Sequence, residues 1–248
     1  PRIKIKPHGG GCVFSAAIAS FMAMGYDLEI AVENAERFIE TSFIGAFKIG
    51  SGNMPVNPMA YIYNEAEKAR ILEELEAAAS MIEGDPRIIP FAAEVGIQLA
   101  MASLYPHGRE DVAAIDGRIV KVKSGLKAVG PARFGASRHI ADIILTAMRY
   151  NPRIRAAMNL HYDPRLVEAF RRIGCKVACF DRRLEPEEVK RMEGRSLRWG
   201  VEDVVRRFGY IPDVIYDEGD VGKEPMIRIL GRSISEVTEK TLKAIESL

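Results

Sequence analysis

Arg118, Lys121, Lys123, Lys127, Arg133 and Arg138 fall in one stretch, residues 118–138, that holds no Asp or Glu. Such a run is either the solvated basic face of a strand or an anion site. Its end favours the second reading. Arg133-Phe134-Gly135-Ala136-Ser137-Arg138-His139 reads as a loop entering a helix. Gly135 allows close approach of backbone to a ligand, and Ser137 suits an N-cap. The start of a helix offers unpaired N–H groups and a partial positive charge, both suited to phosphate. Arg138 and His139 add cationic or proton-donating groups in the same turn, and Ala136 lies between the glycine and the cap.

Two further charged turns follow apolar runs. Phe180-Asp181-Arg182-Arg183-Leu184-Glu185-Pro186 offers Arg182 and Arg183 as bidentate donors to phosphate. Asp213 to Pro225 is either a polar turn or a metal site. In the second case Asp217, Glu218 and Asp220 would hold Mg²⁺ while Lys223 meets phosphate oxygens. Ligands of layered α/β folds collect at strand ends, so these loops are expected to share one pocket. Near the start, His8-Gly9-Gly10-Gly11-Cys12 runs into a helix expected from Ser15. Gly9, Gly10, Gly11 and Cys12 form either a flexible turn or a backbone anion cradle. His8, His107 and His161 show no ligand spacing with each other or with cysteine, and Cys175 with Cys179 reads as a buried apolar pair.

The elements that must position these groups divide the chain at about residue 62. Before it come two helices, residues 15–24 and one after Asp27, and then Gly50 to Pro58, a Gly-, Asn- and Pro-rich break that reads as a linker. After it comes a helix over 64–82, with Leu72, Leu75, Ala79 and Ile82 on one face. Strands are expected at 97–101, 113–115, 118–122 and 126–129. Asp116-Gly117 and Ser124-Gly125 sit at hairpin spacing between them. Helices at 137–150, 164–172 and 185–208 then alternate with strands at 156–160, 176–180, 214–216 and 226–230, before a last helix from Ser233 or Ser235. Strands alternating with helices after an antiparallel block give an α/β fold with a mixed sheet covered on both faces.

Composition narrows the function classes. The 248 residues are 48% hydrophobic and 28% charged, which excludes global disorder. With 35 Lys and Arg against 34 Asp and Glu, the net charge of +1 argues against a nucleic-acid binder. No apolar run is long enough to span a membrane. Three cysteines at no framework spacing point to a reducing, cytoplasmic setting. A chain opening on Pro1-Arg2-Ile3-Lys4 reads as truncated or processed.

Pro7 to Ala19 resembles the closing motif of ribokinase-fold hydroxymethylpyrimidine (phosphate) kinases, usually Thr-His-Gly-Thr-Gly-Cys-Thr, with Pro7, Gly10 and Val13 departing from it. Residues 1–62 are then only the tail of such a kinase. The remainder, 63–248, resembles the ThiN-type thiamine-phosphate synthase domain that is often fused behind that kinase in archaea. The resemblance runs through Asp116 to Lys121, Phe134 to His139, Phe180 to Pro186, Trp199-Gly200 and Asp213 to Pro225. It implies a three-layer α/β/α sandwich with a mostly antiparallel mixed sheet, like the class II aldolase (AraD) group but without that group's metal-binding histidines. The implied reaction joins hydroxymethylpyrimidine diphosphate to hydroxyethyl-thiazole phosphate and releases diphosphate. Residues matching Arg118 and His139 are tied to activity in that family. Arg118 and Arg138 are accordingly expected on phosphate, His139 on the departing diphosphate, and Mg²⁺ beside it. The alternatives are the C-terminal part of a bifunctional kinase/synthase and a thiamine-phosphate sensor without turnover. The apolar faces left by the missing kinase core (Ala16, Ile18, Phe21, Phe38 and Ile39) lead us to expect a homodimer.

Overall fold

A computed structural model describes residues 7–190, 192 and 194–248. The opening Pro1-Arg2-Ile3-Lys4 lies outside the described residues, as do Arg191 and Glu193 in the helix expected over 185–208. The chain divides into two units: Pro1–Lys68 with Leu104–His107, and Ala69–Ser103 with Gly108–Leu248. Among the described residues no helix is long and apolar enough to cross a membrane.

The first unit is helical. Helix α1 (Gly10–Ala23) starts five residues before the expected Ser15, because Gly10, Gly11 and Cys12 are its first turn. Of the three glycines in this run only Gly9, the N-cap, takes a left-handed conformation, with φ 90°. Helix α2 (Leu28–Ile44) follows Asp27, as expected, and buries Ala31, Ala35 and Ile39 on one face. The stretch expected as a linker folds back instead. The His8 amide donates to Met54 O at 2.7 Å and the Val56 amide donates to His8 O at 3.1 Å. A Cβ at Gly45 would lie 2.4 Å from that of Ala60, so only glycine fits there.

Helix α3 (Met59–Gly84) carries the chain into the second unit, where Ile71, Leu75, Ala79 and Ile82 are buried. The strands are β1 (Leu99–Ala102), β2 (Val112–Ile115), β3 (Ile119–Val122), β4 (Gly125–Ala128) and β5 (Ala132–Phe134). Helix α4 (Arg138–Tyr150), β6 (Ala156–His161), α5 (Pro164–Arg172) and β7 (Val177–Cys179) come next. The chain ends with α6 (Glu187–Lys190), α7 (Arg195–Phe208), β8 (Val214–Asp217), β9 (Met226–Gly231) and α8 (Ile234–Glu246). Seven strands form one sheet in the order β5-β2-β1-β6-β9-β8-β7. Every pairing in it is antiparallel except β7 with β8.

Period-2 alternation sorts the strands between two cores. Leu99, Met101, Met158, Ile227 and Ile229 face α3, α5 and α8. Ala100, Ala102, Ala114, Ala157 and Leu230 face α4 and α7. The second face is rich in alanine, which lets α4 lie close to the sheet. The result is the mixed, mostly antiparallel three-layer sandwich that the family resemblance implies.

Two local readings are corrected. Asp116-Gly117 does not close a hairpin between β2 and β3, because β2 pairs with β1 and β5. The turn instead sends the chain out of the main sheet into a separate hairpin, in which β3 pairs β4 with Val122 opposite Gly125. Residues 132–134, expected as loop, form strand β5, which holds only three residues and follows Pro131.

Candidate active site

Arg118 sits at the corner where the chain leaves the main sheet. Gly117 has φ 69° and Arg118 has φ 70°, and Arg118 is the only non-glycine at positive φ among the described residues. An arginine held there costs about 1 kcal/mol of backbone strain, of the kind that collects at functional sites. Its Nη1 donates to Val95 O at 2.9 Å. That carbonyl is itself held in place. The Glu94 and Val95 amides donate to Glu224 at 2.8 and 3.4 Å, and His161 Nδ1 lies 3.0 Å from the same carboxylate. Burial pushes the Glu224 carboxyl up, but these N–H groups and His161 outweigh it and hold it below the usual carboxylate range.

Helix α4 starts as the sequence predicts, with Ser137 as N-cap in an extended conformation. The Ser137 hydroxyl makes no capping bond, so the first-turn amides have no side-chain cap. Arg138 and His139 are exposed in that turn.

The opposite group is buried. Asp217, at the end of β8, is completely enclosed. Arg182 reaches it through Nε at 2.5 Å and Nη2 at 3.2 Å, Arg228 reaches it through Nη1 at 2.6 Å, and the Gly219 amide donates at 3.0 Å. Burial alone would raise the Asp217 carboxyl, yet Arg228 and Arg182 hold it below its ordinary value. Lys223 Nζ lies 3.3 Å from the buried carboxylate of Glu185 and 3.2 Å from Ser196 Oγ. Gly219, at φ 81°, makes this loop possible, since a Cβ there would lie 2.6 Å from Lys223 O.

A cavity of about 400 Å³ joins these groups, lined by Arg118, Ser137, His139, Arg182, Lys223 and Arg228, with Gln98, Asn159 and Met158. A second hollow of about 350 Å³ shares Arg118, Ser137 and His139 and adds Gly117, Ala136 and Arg138. A third, of about 610 Å³, shares Arg182 and Lys223 and adds Asp181, Arg183, Glu218 and Asp220. The charged loops therefore converge, as their position at strand ends predicts.

Some expected members lie elsewhere. Lys121 is exposed on the β3–β4 hairpin and Gly135 is in a turn at φ 73°, and neither lines these cavities. Arg133 is tied to Asp116 at 2.8 Å, and Lys127 to Glu83 at 2.8 Å. Carboxylates outside the stretch thus neutralise two of the six cations in what reads as a uniformly basic window. Arg183 pairs with Asp181 at 2.7 Å in the third hollow, while Arg182 is buried on Asp217, so the two do not form one clamp.

The metal trio does not assemble either. Asp217 is committed to two guanidiniums, Glu218 accepts from the Tyr162 hydroxyl at 3.1 Å, and Asp220 accepts from the Val221 amide at 2.8 Å. Among the described residues no three His, Cys, Asp or Glu side chains could hold a metal ion. The three therefore do not form one ligand set: Asp217 is spent on Arg182, Arg228 and the Gly219 amide, while Glu218 and Asp220 turn to separate partners. The cysteine reading changes too: Cys175 is half-buried and Cys179 is exposed. In the first unit, Gly10 to Cys12 are helical behind the left-handed Gly9, and Cys12 is exposed.

Sequence reasoning missed Arg228, Lys190, Gln98, Asn159 and Glu224, all of which line the main cavity. Arg228 had left a signal, a lone cation inside the apolar strand Met226-Ile227-Arg228-Ile229-Leu230. Such a charge must be paired on folding.

Comparison with known proteins follows this division of the chain. Residues 74–243 match the family model for thiamine-phosphate synthase ThiN, and residues 1–57 match that for phosphomethylpyrimidine kinase. The bifunctional thiamine biosynthesis protein ThiDN of Methanocaldococcus jannaschii is 43% identical over 241 residues, 96% of this chain and 54% of that protein. The chain thus spans about half of that relative. Thiamine-phosphate synthase ThiN of Methanothermobacter thermautotrophicus is 36% identical over 174 residues, 70% of this chain and 92% of that one. A crystal structure of the C-terminal domain of a phosphomethylpyrimidine kinase superposes with a TM-score of 0.67 at 43% identity, over 71% of this chain and 98% of that one. The chain belongs to the ThiN family of thiamine-phosphate synthases.

Proposed function

We propose that the second unit joins hydroxymethylpyrimidine diphosphate to hydroxyethyl-thiazole phosphate, forming thiamine phosphate and releasing diphosphate. The observation that carries this reading is the cavity that brings Arg118, Ser137, His139, Arg182, Lys223 and Arg228 together. In the reaction the thiazole nitrogen lone pair forms a bond to the pyrimidine methylene. The methylene C–O bond breaks, and its electron pair leaves with the diphosphate. Negative charge grows on the leaving oxygens, where fixed donors stabilise the transition state more than the ground state. Arg118 and the uncapped amides of α4 are such donors. His139 donates a hydrogen bond or proton to the departing group. Gln98 and Asn159 hold their orientation through bonds to Ile115 O and Gly96 O, at 2.9 and 3.1 Å, and present a polar wall to the pyrimidine.

Magnesium would reach such a site on the diphosphate itself, whose oxygens supply ligands that the chain's carboxylates do not. The same reading makes the protein a cytoplasmic homodimer of archaeal type. Its cysteines are free, and Met22, Met24, Tyr26 and Leu28 leave apolar surface on the helical unit. It also makes the chain the C-terminal part of a bifunctional kinase/synthase, given the kinase match of residues 1–57.

The test is to mix the purified chain with both substrates and follow diphosphate release. Release that requires both substrates supports the reading. Release with the pyrimidine diphosphate alone, or none at all, rejects it.

A further inference from the structure

We propose that Arg182, Asp217 and Arg228 form a second anion subsite, which takes the monophosphate of the thiazole substrate while Arg118 and the start of α4 hold the diphosphate. The assignment of substrates rests on the synthase reading above. The existence of the subsite rests on the cluster itself.

The cluster is built and buried. Its two arginine side chains are each 6% exposed and its carboxylate is fully enclosed. Two guanidiniums on one carboxylate leave one positive charge without a counter-charge among the described residues. Keeping such a charge costs several kcal/mol unless something pairs it. Each guanidinium carries five N–H donors in a fixed fork. Arg182 uses Nε and Nη2, and Arg228 uses Nη1. The remaining donors, on Arg182 Nη1 and on Arg228 Nε and Nη2, have no acceptor among the described residues. Both arginines line the main cavity. The Phe180 ring lies 5.4 and 5.5 Å from the two guanidinium carbons, so it fixes their planes from one side. Burial lowers the affinity of Arg228 for its proton and Asp217 restores part of it, as expected of a cation held short of counter-charge.

The position of the cluster separates it from the Arg118 group. The hollow that adjoins the cavity at Arg118 and His139 does not include Arg182, and the hollow that adjoins it at Arg182 and Lys223 does not include Arg118. The cavity therefore has two cationic ends. The Arg118 end is half-exposed and offers more donors, from Arg138, His139 and the α4 amides. That suits a leaving group of higher charge that must depart. The buried end offers a rigid fork with one net charge, which suits a phosphate that is carried through into the product.

The experiment is a KM comparison for both substrates, with titration of inorganic phosphate into the chain by calorimetry. Wild type, R228K, R182K and R118K are compared, and thermal melts check folding. The proposal expects R228K and R182K to raise KM for the thiazole phosphate ~10-fold or more, the scale of one lost bidentate contact, and to weaken inorganic phosphate binding in step. KM for the diphosphate substrate should stay within ~2-fold in both, and R118K should show the reverse pattern. Equal shifts in both KM values, or phosphate affinity unchanged by either variant, overturn the subsite. If one variant does not fold, the other carries the comparison. If wild type forms no product, the synthase reading fails, and the phosphate titration alone then decides the subsite.

Discussion

Arg118 is held by three things at once: a left-handed backbone, the Val95 carbonyl, and the Glu224 carboxylate that fixes Val95. His139 lines the same end of the cavity, on the exposed first turn of α4. In the proposed reaction both act on charge that exists only as the C–O bond breaks, so their loss is expected mainly in kcat. Arg118→Ala and His139→Ala should each lower turnover at least ~100-fold, about 2.7 kcal/mol of barrier, with melting temperature retained. Near-normal turnover in both folded variants would remove them from the chemistry. These two residues were legible because glycine, cap and charge coincide at single turns. Arg133 and Lys121 looked equivalent in sequence, yet their fate depended on Asp116 and on a hairpin that leaves the sheet. No local pattern carries such information.

The elements that hold these residues make their own demands. Helix α7 packs on Phe180 at Gly200, where an added Cβ would come within 2.7 to 2.9 Å of three atoms of that ring. That ring also lies against Arg182 and Arg228. Gly200→Ala should therefore destabilise by about 1–3 kcal/mol as an overpacking change, read by denaturant unfolding, and should weaken phosphate binding as the guanidiniums shift. The 94–95 turn is a second support. Glu224→Gln keeps the shape but weakens three hydrogen bonds to that turn and to His161. It should raise KM for the diphosphate substrate ~3–10-fold, and its effect should be largely absent in an R118A background, as for residues acting through one contact. Additive effects would show that Glu224 acts elsewhere. Most of these elements follow from periodicity. α5 matches its expected bounds, 164–172, and α8, expected from Ser233 or Ser235, starts at Ile234 behind Ser233, whose side chain caps it by accepting from the Glu236 amide. The failures lie where the chain changes partner: β5, the 116–118 corner, and the glycines absorbed into α1.

At the scale of the whole molecule, the sandwich was readable because strands and helices alternate from β6 through α5 and β7 to α6 after residue 150. The two-ended cavity was not, since it depends on the β8–β9 register, which sets Asp217 opposite Met226 and so diagonal to Arg228. Acid tests the assembled fold. Burial opposes ionisation of Glu236, but Lys240, Arg232 and the Arg232 amide hold it down, to about 2 from 4.5. Asp217 is lowered as well. A carboxyl depressed by folding stabilises above its unfolded pKa, and that contribution is lost as pH falls through the folded value. Unfolding free energy should thus be level near pH 6 and fall between pH 4.5 and 2, with a shallower slope in E236Q. An unchanged slope in that variant would remove Glu236 from the account.

Near-neutral net charge conceals a cavity with two cationic ends, and that is the arrangement a reaction between two phosphorylated partners requires. A single-turnover mixture, with the chain in excess over both substrates and the products resolved by mass spectrometry, reads the outcome directly. The account predicts thiamine phosphate and diphosphate in equal amounts. Both substrates bound and recovered unchanged would contradict it, and would make the cavity a sensor.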